Sequence, residues 1–247
     1  MRPLTDSAII AVWERGLGST SATRAWLMLS SDGDDAAPSQ LAQLPVGRRD
    51  ARLLELREQT FGPLLPCLAA CPACHENLEC NLNTGDLLSS VRADNVPSSP
   101  SWLLQVGDYQ IQFRLPDSRD LAGLSPDAEV AHNRAQLLQA CLLSARRGDM
   151  EIPATALPVE VEAAVVNRMA ELDPEADLQL KLDCPECGHQ WNAPFDIVSF
   201  FWAELQAAAT RALREVHELA SAYGWSETGI LSMTPRRRQA YLEMLRA

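Results

Sequence analysis

Hydrophobic positions along this chain recur first at helical spacing. Ile9, Ile10, Trp13 and Leu17 form a short run closed by Gly16-Leu17-Gly18; apolar residues three and four apart line one side of a helix. Thr20 or Ser21 can cap a second run through Ala25, Trp26 and Leu29. Residues 30–40, SSDGDDAAPSQ, are small, acidic and unpatterned, which predicts an exposed linker. A stronger helix is expected from Gly47 to Phe61, carrying Leu53, Leu54 and Leu56 and stopped by Gly62-Pro63.

The period then changes to two. Leu78, Cys80 and Leu82 alternate with polar residues, a strand signature. VPSSPS at 96–101 is a break. Over 102–116 the alternation of Tyr109, Ile111, Phe113 and Leu115, with Gly107-Asp108 between two apolar runs, predicts a hairpin. Residues 117–172 read as helical. Asp117 or Ser118 caps a short helix, and Ser125-Pro126-Asp127 opens a longer one through Val130, Leu137, Leu138, Cys141 and Leu142. A further helix runs from about Pro158 to Leu172. Leu178, Leu180 and Leu182 alternate again, followed by Trp191 and Phe195. The longest helical pattern spans Asp196 to Tyr223, with Phe201, Leu205, Ala208, Ala212, Val216 and Leu219 on one side and Gly224 at its end. Two short helices follow, one from about Ser226 and one from Pro235 with Thr234 as cap.

Composition narrows what such a chain does. The 247 residues are 47% hydrophobic, with few aromatics (6%), so Leu, Val and Ala must build the core. Lys+Arg total 21 against Asp+Glu 33, a net charge of −12, and Lys181 is the only lysine. That balance disfavours non-specific nucleic-acid binding and a polybasic membrane anchor. The apolar stretch Ala8–Trp13, between Asp6 and Glu14, is too short for a signal-peptide core, and no stretch reaches the ~18 residues of a membrane helix. A soluble protein that stays in the cytoplasm, or is built into something assembled there, is expected.

The chemistry concentrates in two CPxC pairs. Cys71-Pro-Ala-Cys74 and Cys184-Pro-Glu-Cys187 each place two thiols on a tight turn, and two such turns supply the four sulfurs of a tetrahedral Zn2+ site. Each pair precedes a strand, as in zinc-ribbon knuckles. With 109 residues between Cys74 and Cys184, the metal would act as a staple across a sheet-and-helix insertion at 83–177. Redox pairs and metal-free knuckles share these letters, but a redox CxxC wants a cysteine at a helix N-terminus. His75 and His189, just after the knuckles, are alternative ligands. Cys67, Cys80 and Cys141 sit in apolar or strand patterns and read as core thiols.

Catalysis finds little support. His75-Glu76 and His217-Glu218 lack the His-x-Glu spacing of zinc deaminases, and four thiolates leave no open position for water. There is no phosphate-binding Gly-rich loop and no G-x-S-x-G elbow. Arg236-Arg237-Arg238 reads as a solvated or partner-facing charge run. The apolar residues Trp225, Ile230, Leu231, Tyr241, Leu242 and Leu245 need either the 196–223 helix or a partner to pack on.

The order of these segments resembles a known family. LLELREQTFGPLLPCLAACPAC (53–74), YQIQFRLP (109–116), CPECGHQWNAPFDIVSFFWAEL (184–205), YGWSETGILSMTPRRRQAYLEML (223–245) and the N-terminal AVWERGL…RAWLML are similar to the baseplate hub assembly chaperones of T-even-type phages. That family includes related proteins of contractile injection systems. The resemblance implies a non-enzymatic role in building or forming the baseplate hub, with hub and spike proteins as partners.

The expected fold class is α+β: zinc-ribbon-like antiparallel strands with a long helical insertion and flanking N- and C-terminal helices. The expected division is N-terminal helices at 1–30, an acidic linker at 31–46, a zinc-stapled α+β core at 47–195 and a C-terminal helical segment at 196–247. The metal ligands expected are Cys71, Cys74, Cys184 and Cys187, with no catalytic residue. Two other functional classes remain in view: a zinc-ribbon transcription-associated regulator and a CxxC thiol-disulfide oxidoreductase.

Overall fold

A computed structural model describes residues 2–31, 38–92, 100–125 and 127–246. The chain begins with helices α1 (Asp6–Gly16), α2 (Ser21–Leu29), α3 (Pro38–Ala42) and α4 (Val46–Phe61). Hairpin β1 (Leu64–Ala70) and β2 (Asn77–Asn83) carries the first knuckle between its strands, and α5 (Thr84–Arg92) follows. Strands β3 (Trp102–Val106) and β4 (Tyr109–Phe113) form the hairpin that alternation predicts, turning at Gly107-Asp108. Next come α6 (Ser118–Ala122), α7 (Val130–Cys141), β5 (Leu142–Arg147), β6 (Met150–Glu151) and α8 (Val159–Leu172). Hairpin β7 (Gln179–Asp183) and β8 (Gln190–Pro194) carries the second knuckle. The chain closes with α9 (Ile197–Tyr223), α10 (Glu227–Leu231) and α11 (Pro235–Arg246). Among the described residues the strands form three antiparallel sheets, β1-β2, β3-β4-β5-β6 and β7-β8, so the class is α+β.

Caps set many of these boundaries. Asp196 accepts from the Val198 and Ser199 amides to open α9, and Gly224 ends it in the left-handed region. Asp117 and Asp120 form a reciprocal capping box on α6. Thr20, rather than Ser21, caps α2.

The insertion differs from the helical stretch expected over 117–172. After Cys141 the chain turns straight into β5, so Leu142 lies on a strand. The run LLQACLLS contains no Gly or Pro to mark the change. Tertiary pairing decides it: Ile111 opposite Ala145 and Gln112 opposite Ser144 extend the β3–β4 hairpin into a four-stranded sheet. The hydrophobic pattern marks neither strand β1 nor helix α5. Helix α7 starts only at Val130, and Pro126 lies outside the described residues. So do residues 32–37 of the expected linker and 96–99 of the expected break, while α3 begins inside the stretch read as linker.

Three apolar clusters hold the described residues together. The largest joins α1, α2, α4 and α9 through Ile9, Ile10, Leu29, Leu53, Leu54, Phe201 and Leu205. Arg57 of α4 is 1% exposed within it, and its guanidinium grips Glu204 of α9 in a two-pronged pair at 2.8 and 2.6 Å while donating to the Gly62 carbonyl. A second cluster packs the inner face of the four-stranded sheet, Ile111 and Phe113, on Val161 and Val165 of α8. The third seats Ile230 and Leu242 of the C-terminal helices on Val216 and Leu219 of α9, with Trp225 and Tyr241 at its edge.

Candidate metal centre

Both knuckles are built by the same local hydrogen bonds. In the first, the His75 amide donates to the Cys71 carbonyl and the Cys71 amide to the Glu76 carbonyl, each at 2.9 Å. In the second, the Gly188 amide donates to the Cys184 carbonyl and the Cys184 amide to the His189 carbonyl, again at 2.9 Å. The residue after each pair must therefore turn left-handed: Gly188 has φ 70°, and His75 has φ 61°. Gly accepts this without a Cβ penalty, and His accepts it at a cost.

The two turns converge. Cys71 Sγ lies 3.7 Å from Cys187 Sγ, and Cys74 Sγ lies 3.6 Å from Cys184 Sγ. All four sulfurs fall within 4.8 Å of one another. Four zinc–sulfur bonds of about 2.3 Å in a regular tetrahedron put the sulfurs about 3.8 Å apart, so this donor set fits Zn2+ in size, number and softness. Cys71 and Cys184 are buried, whereas Cys74 and Cys187 are exposed, a cluster with one face to solvent.

Electrostatics separate the four thiols. Burial opposes ionisation of Cys71, but the Cys74 and Ala73 backbone N–H groups and the neighbouring thiols outweigh it and bring Cys71 to about 7. At Cys74 the Glu76 N–H favours the thiolate, yet desolvation and the three adjacent sulfurs push the group up to about 12. Cys187 is also raised: the His189 N–H and Cys74 favour its thiolate, but desolvation together with Cys184 and Cys71 outweighs them. Sulfurs this close cannot all carry charge without a cation among them.

The structure thus brings together Cys71, Cys74, Cys184 and Cys187, and leaves the other candidates elsewhere. His189 stacks on Trp191 at 6.0 Å between ring centroids, and His75 is exposed; neither belongs to the cluster. His132 and His217 are exposed on helices. Cys141 is fully buried, and burial pushes its thiol up to about 12. The Arg236–Arg238 run is not uniformly solvated or partner-facing. Arg238 is 2% exposed, paired with Glu215 at 2.8 Å and with Asp6, and it donates to the Met233 carbonyl. Helical phase explains this, since only one of three consecutive residues faces α9 squarely.

A profile of the T4 bacteriophage base plate protein family matches residues 29–202, more than half of the chain. This chain belongs to that family. The match takes in both knuckles and all of the sheet-and-helix segment between them, whereas α1 and everything after Trp202 lie outside it. Comparison with curated proteins and with solved structures found no match. As a base plate family member, the protein is expected to meet other base plate components. Among the described residues no helix is long and apolar enough to cross a membrane.

Proposed function

We propose that the chain is a non-enzymatic component or assembly chaperone of the central hub of a contractile tail baseplate, from a phage or a phage-tail-like injection system, and that Zn2+ staples its core. The observation that carries this reading is the family match spanning both knuckles together with the closed four-sulfur cluster inside it. A metal held by four cysteines has no position left for substrate, so its work is structural. Its binding energy joins β1–β2 to β7–β8 across the 109 intervening residues. Hub and spike proteins are the partners, met in the cytoplasm during assembly, with incorporation into the particle to follow. The charge of −12 supports protein rather than nucleic-acid or membrane contacts.

A chromosomal or phage knockout tests the role. Loss of contractile particles, restored by the intact chain, is the expected result. Normal particles in the knockout overturn it. Metal analysis of purified protein tests the staple separately: about one zinc per chain is expected, and a folded, metal-free protein refutes it.

A further inference from the structure

Two cysteines outside the metal cluster face each other. Cys67 and Cys80 are direct partners in the β1–β2 ladder. The phase of that ladder follows from its ends, where the Cys71 amide donates to Glu76 and the Thr84 amide to Pro63. Hydrogen-bonded positions recur every second residue, so Cys67 and Cys80 occupy one. Opposed Cα atoms at such a position stand about 5.5 Å apart, inside the span of a disulfide. Both side chains fall on the face that also carries Leu65 opposite Leu82 and Ala69 opposite Leu78. That face looks across an opening of about 470 Å³ toward Leu180, Leu182 and Trp191 of the second hairpin. Cys67 spends its thiol on a 3.5 Å contact with the Leu65 carbonyl, and both residues are only half-buried.

We propose that Cys67 and Cys80 are a reversible dithiol–disulfide pair, a second thiol site distinct from the four-cysteine cluster. A small-molecule disulfide such as oxidised glutathione is the oxidant. One thiolate attacks it and releases one small thiol. The second cysteine then displaces the other, so an Sγ–Sγ bond forms as the oxidant gains two electrons and leaves as two thiols. Hydrogen-bonded ladder positions hold Cβ atoms farther apart than the ~3.8 Å a relaxed disulfide prefers. The bond is therefore strained and readily reduced, as reversible pairs are. Burial and the adjacent Cys80 hold the Cys67 thiol up at about 11, so closure quickens as pH rises. The closed ring runs from Cys67 to Cys80 and encloses the Cys71–Cys74 knuckle. It restricts the conformations open to that knuckle once its sulfurs release a metal.

The full-length protein is treated with oxidised glutathione at mildly alkaline pH, unfolded in the presence of an alkylating agent, and mapped by mass spectrometry. Loss of two hydrogens, with Cys67 and Cys80 joined and the other five cysteines alkylated, is expected. Dithiothreitol should restore both thiols. Chelator extraction of zinc should be several-fold slower from the oxidised protein; this second measure rests on the metal reading above, whereas the mapping stands without it. Cys67→Ser and Cys80→Ser should each abolish the two-hydrogen loss, and where either fails to fold the mapping of the parent chain decides. Free Cys67 and Cys80 after oxidation, a stable glutathione adduct on either, or a bond to one of the four clustered cysteines each overturn the proposal.

Discussion

The Asp173 carboxylate caps the first turn of α4 from 126 positions away, its Oδ2 accepting the Gly47 backbone N–H at 2.9 Å. The contact ties the end of α8 to the start of the helix that carries Arg57, and it explains why position 47 is glycine. A Cβ there would stand 2.4 Å from Asp173 Oδ1 and 2.7 Å from the Ala176 backbone nitrogen. Gly47→Ala should therefore destabilise by about 2–4 kcal/mol despite alanine's better helix propensity. Thermal melts compare the variant with its parent, and an unchanged or raised Tm refutes the contact.

Asp173 itself is 4% exposed, and burial, only partly offset by the Gly47 N–H, pushes its carboxyl up to about 6. The unfolded group titrates near 4. The folded state therefore binds this proton more tightly, and that stabilisation is full below about pH 4 and lost as pH rises through about 6. Asp173→Asn keeps an acceptor for Gly47 without a buried charge. The variant should gain stability relative to its parent between about pH 4 and pH 7, by up to ~2–3 kcal/mol. Paired melts at each pH measure the difference, which cancels pH effects on the cysteine cluster.

Cys184→Ser and Cys141→Ser should differ widely. The first removes one of four converging sulfurs, and metal binding of this kind is coupled to folding. The second changes a fully buried thiol to a hydroxyl and costs about 1–3 kcal/mol. Equal melting shifts in zinc-replete buffer count against the staple.

The matching left-handed positions of the two knuckles predict opposite responses. At Gly188 a Cβ meets nothing within 4 Å, so Gly188→Ala adds only conformational strain, about 1 kcal/mol. His75→Gly relieves the same strain, less the entropy glycine adds to the unfolded chain, and should be neutral or stabilising by up to ~1 kcal/mol. Denaturation midpoints of both variants check the pair, and a clear loss for His75→Gly contradicts it.

The C-terminal helices pack on α9, and Arg238 bridges them to Asp6 and Glu215. Removing 224–247 would strip cover from Val216 and Leu219 and take the arginine partners from Asp6, Glu215 and Glu218, so truncation confounds stability with partner binding. The outer stripe of α11 separates them. Arg237 lies over the Tyr241 ring, and Met244 is 67% exposed one turn farther on. Combined Arg237→Glu and Met244→Asp changes should leave the Tm within about 1 °C while weakening co-purification with hub proteins. Unaltered co-purification excludes this stripe as the contact.

Much of this protein is determined by sequence alone wherever local rules act. The 3.6-residue period and the Asp196 and Gly224 caps bound α9, Gly107-Asp108 places the β3–β4 turn, and the CPxC spacing defines two thiol turns before the chain folds. These signals need only neighbours a few residues away. Tertiary structure decides what local rules leave open. Leu142 and Leu143 suit helix or strand, and only the exposed edge of β4 makes them strand. Strand β1 needs β2 across the knuckle, and the cross-strand meeting of Cys67 with Cys80 depends on that register. Arg238 reads as one of three like charges until helical phase turns it alone toward Glu215 and Asp6. The four sulfurs are two unrelated pairs in sequence; folding the sheet-and-helix segment between them brings Cys74 within 3.6 Å of Cys184. Convergence at that separation is a property of packing, because no local interaction reaches across 109 residues.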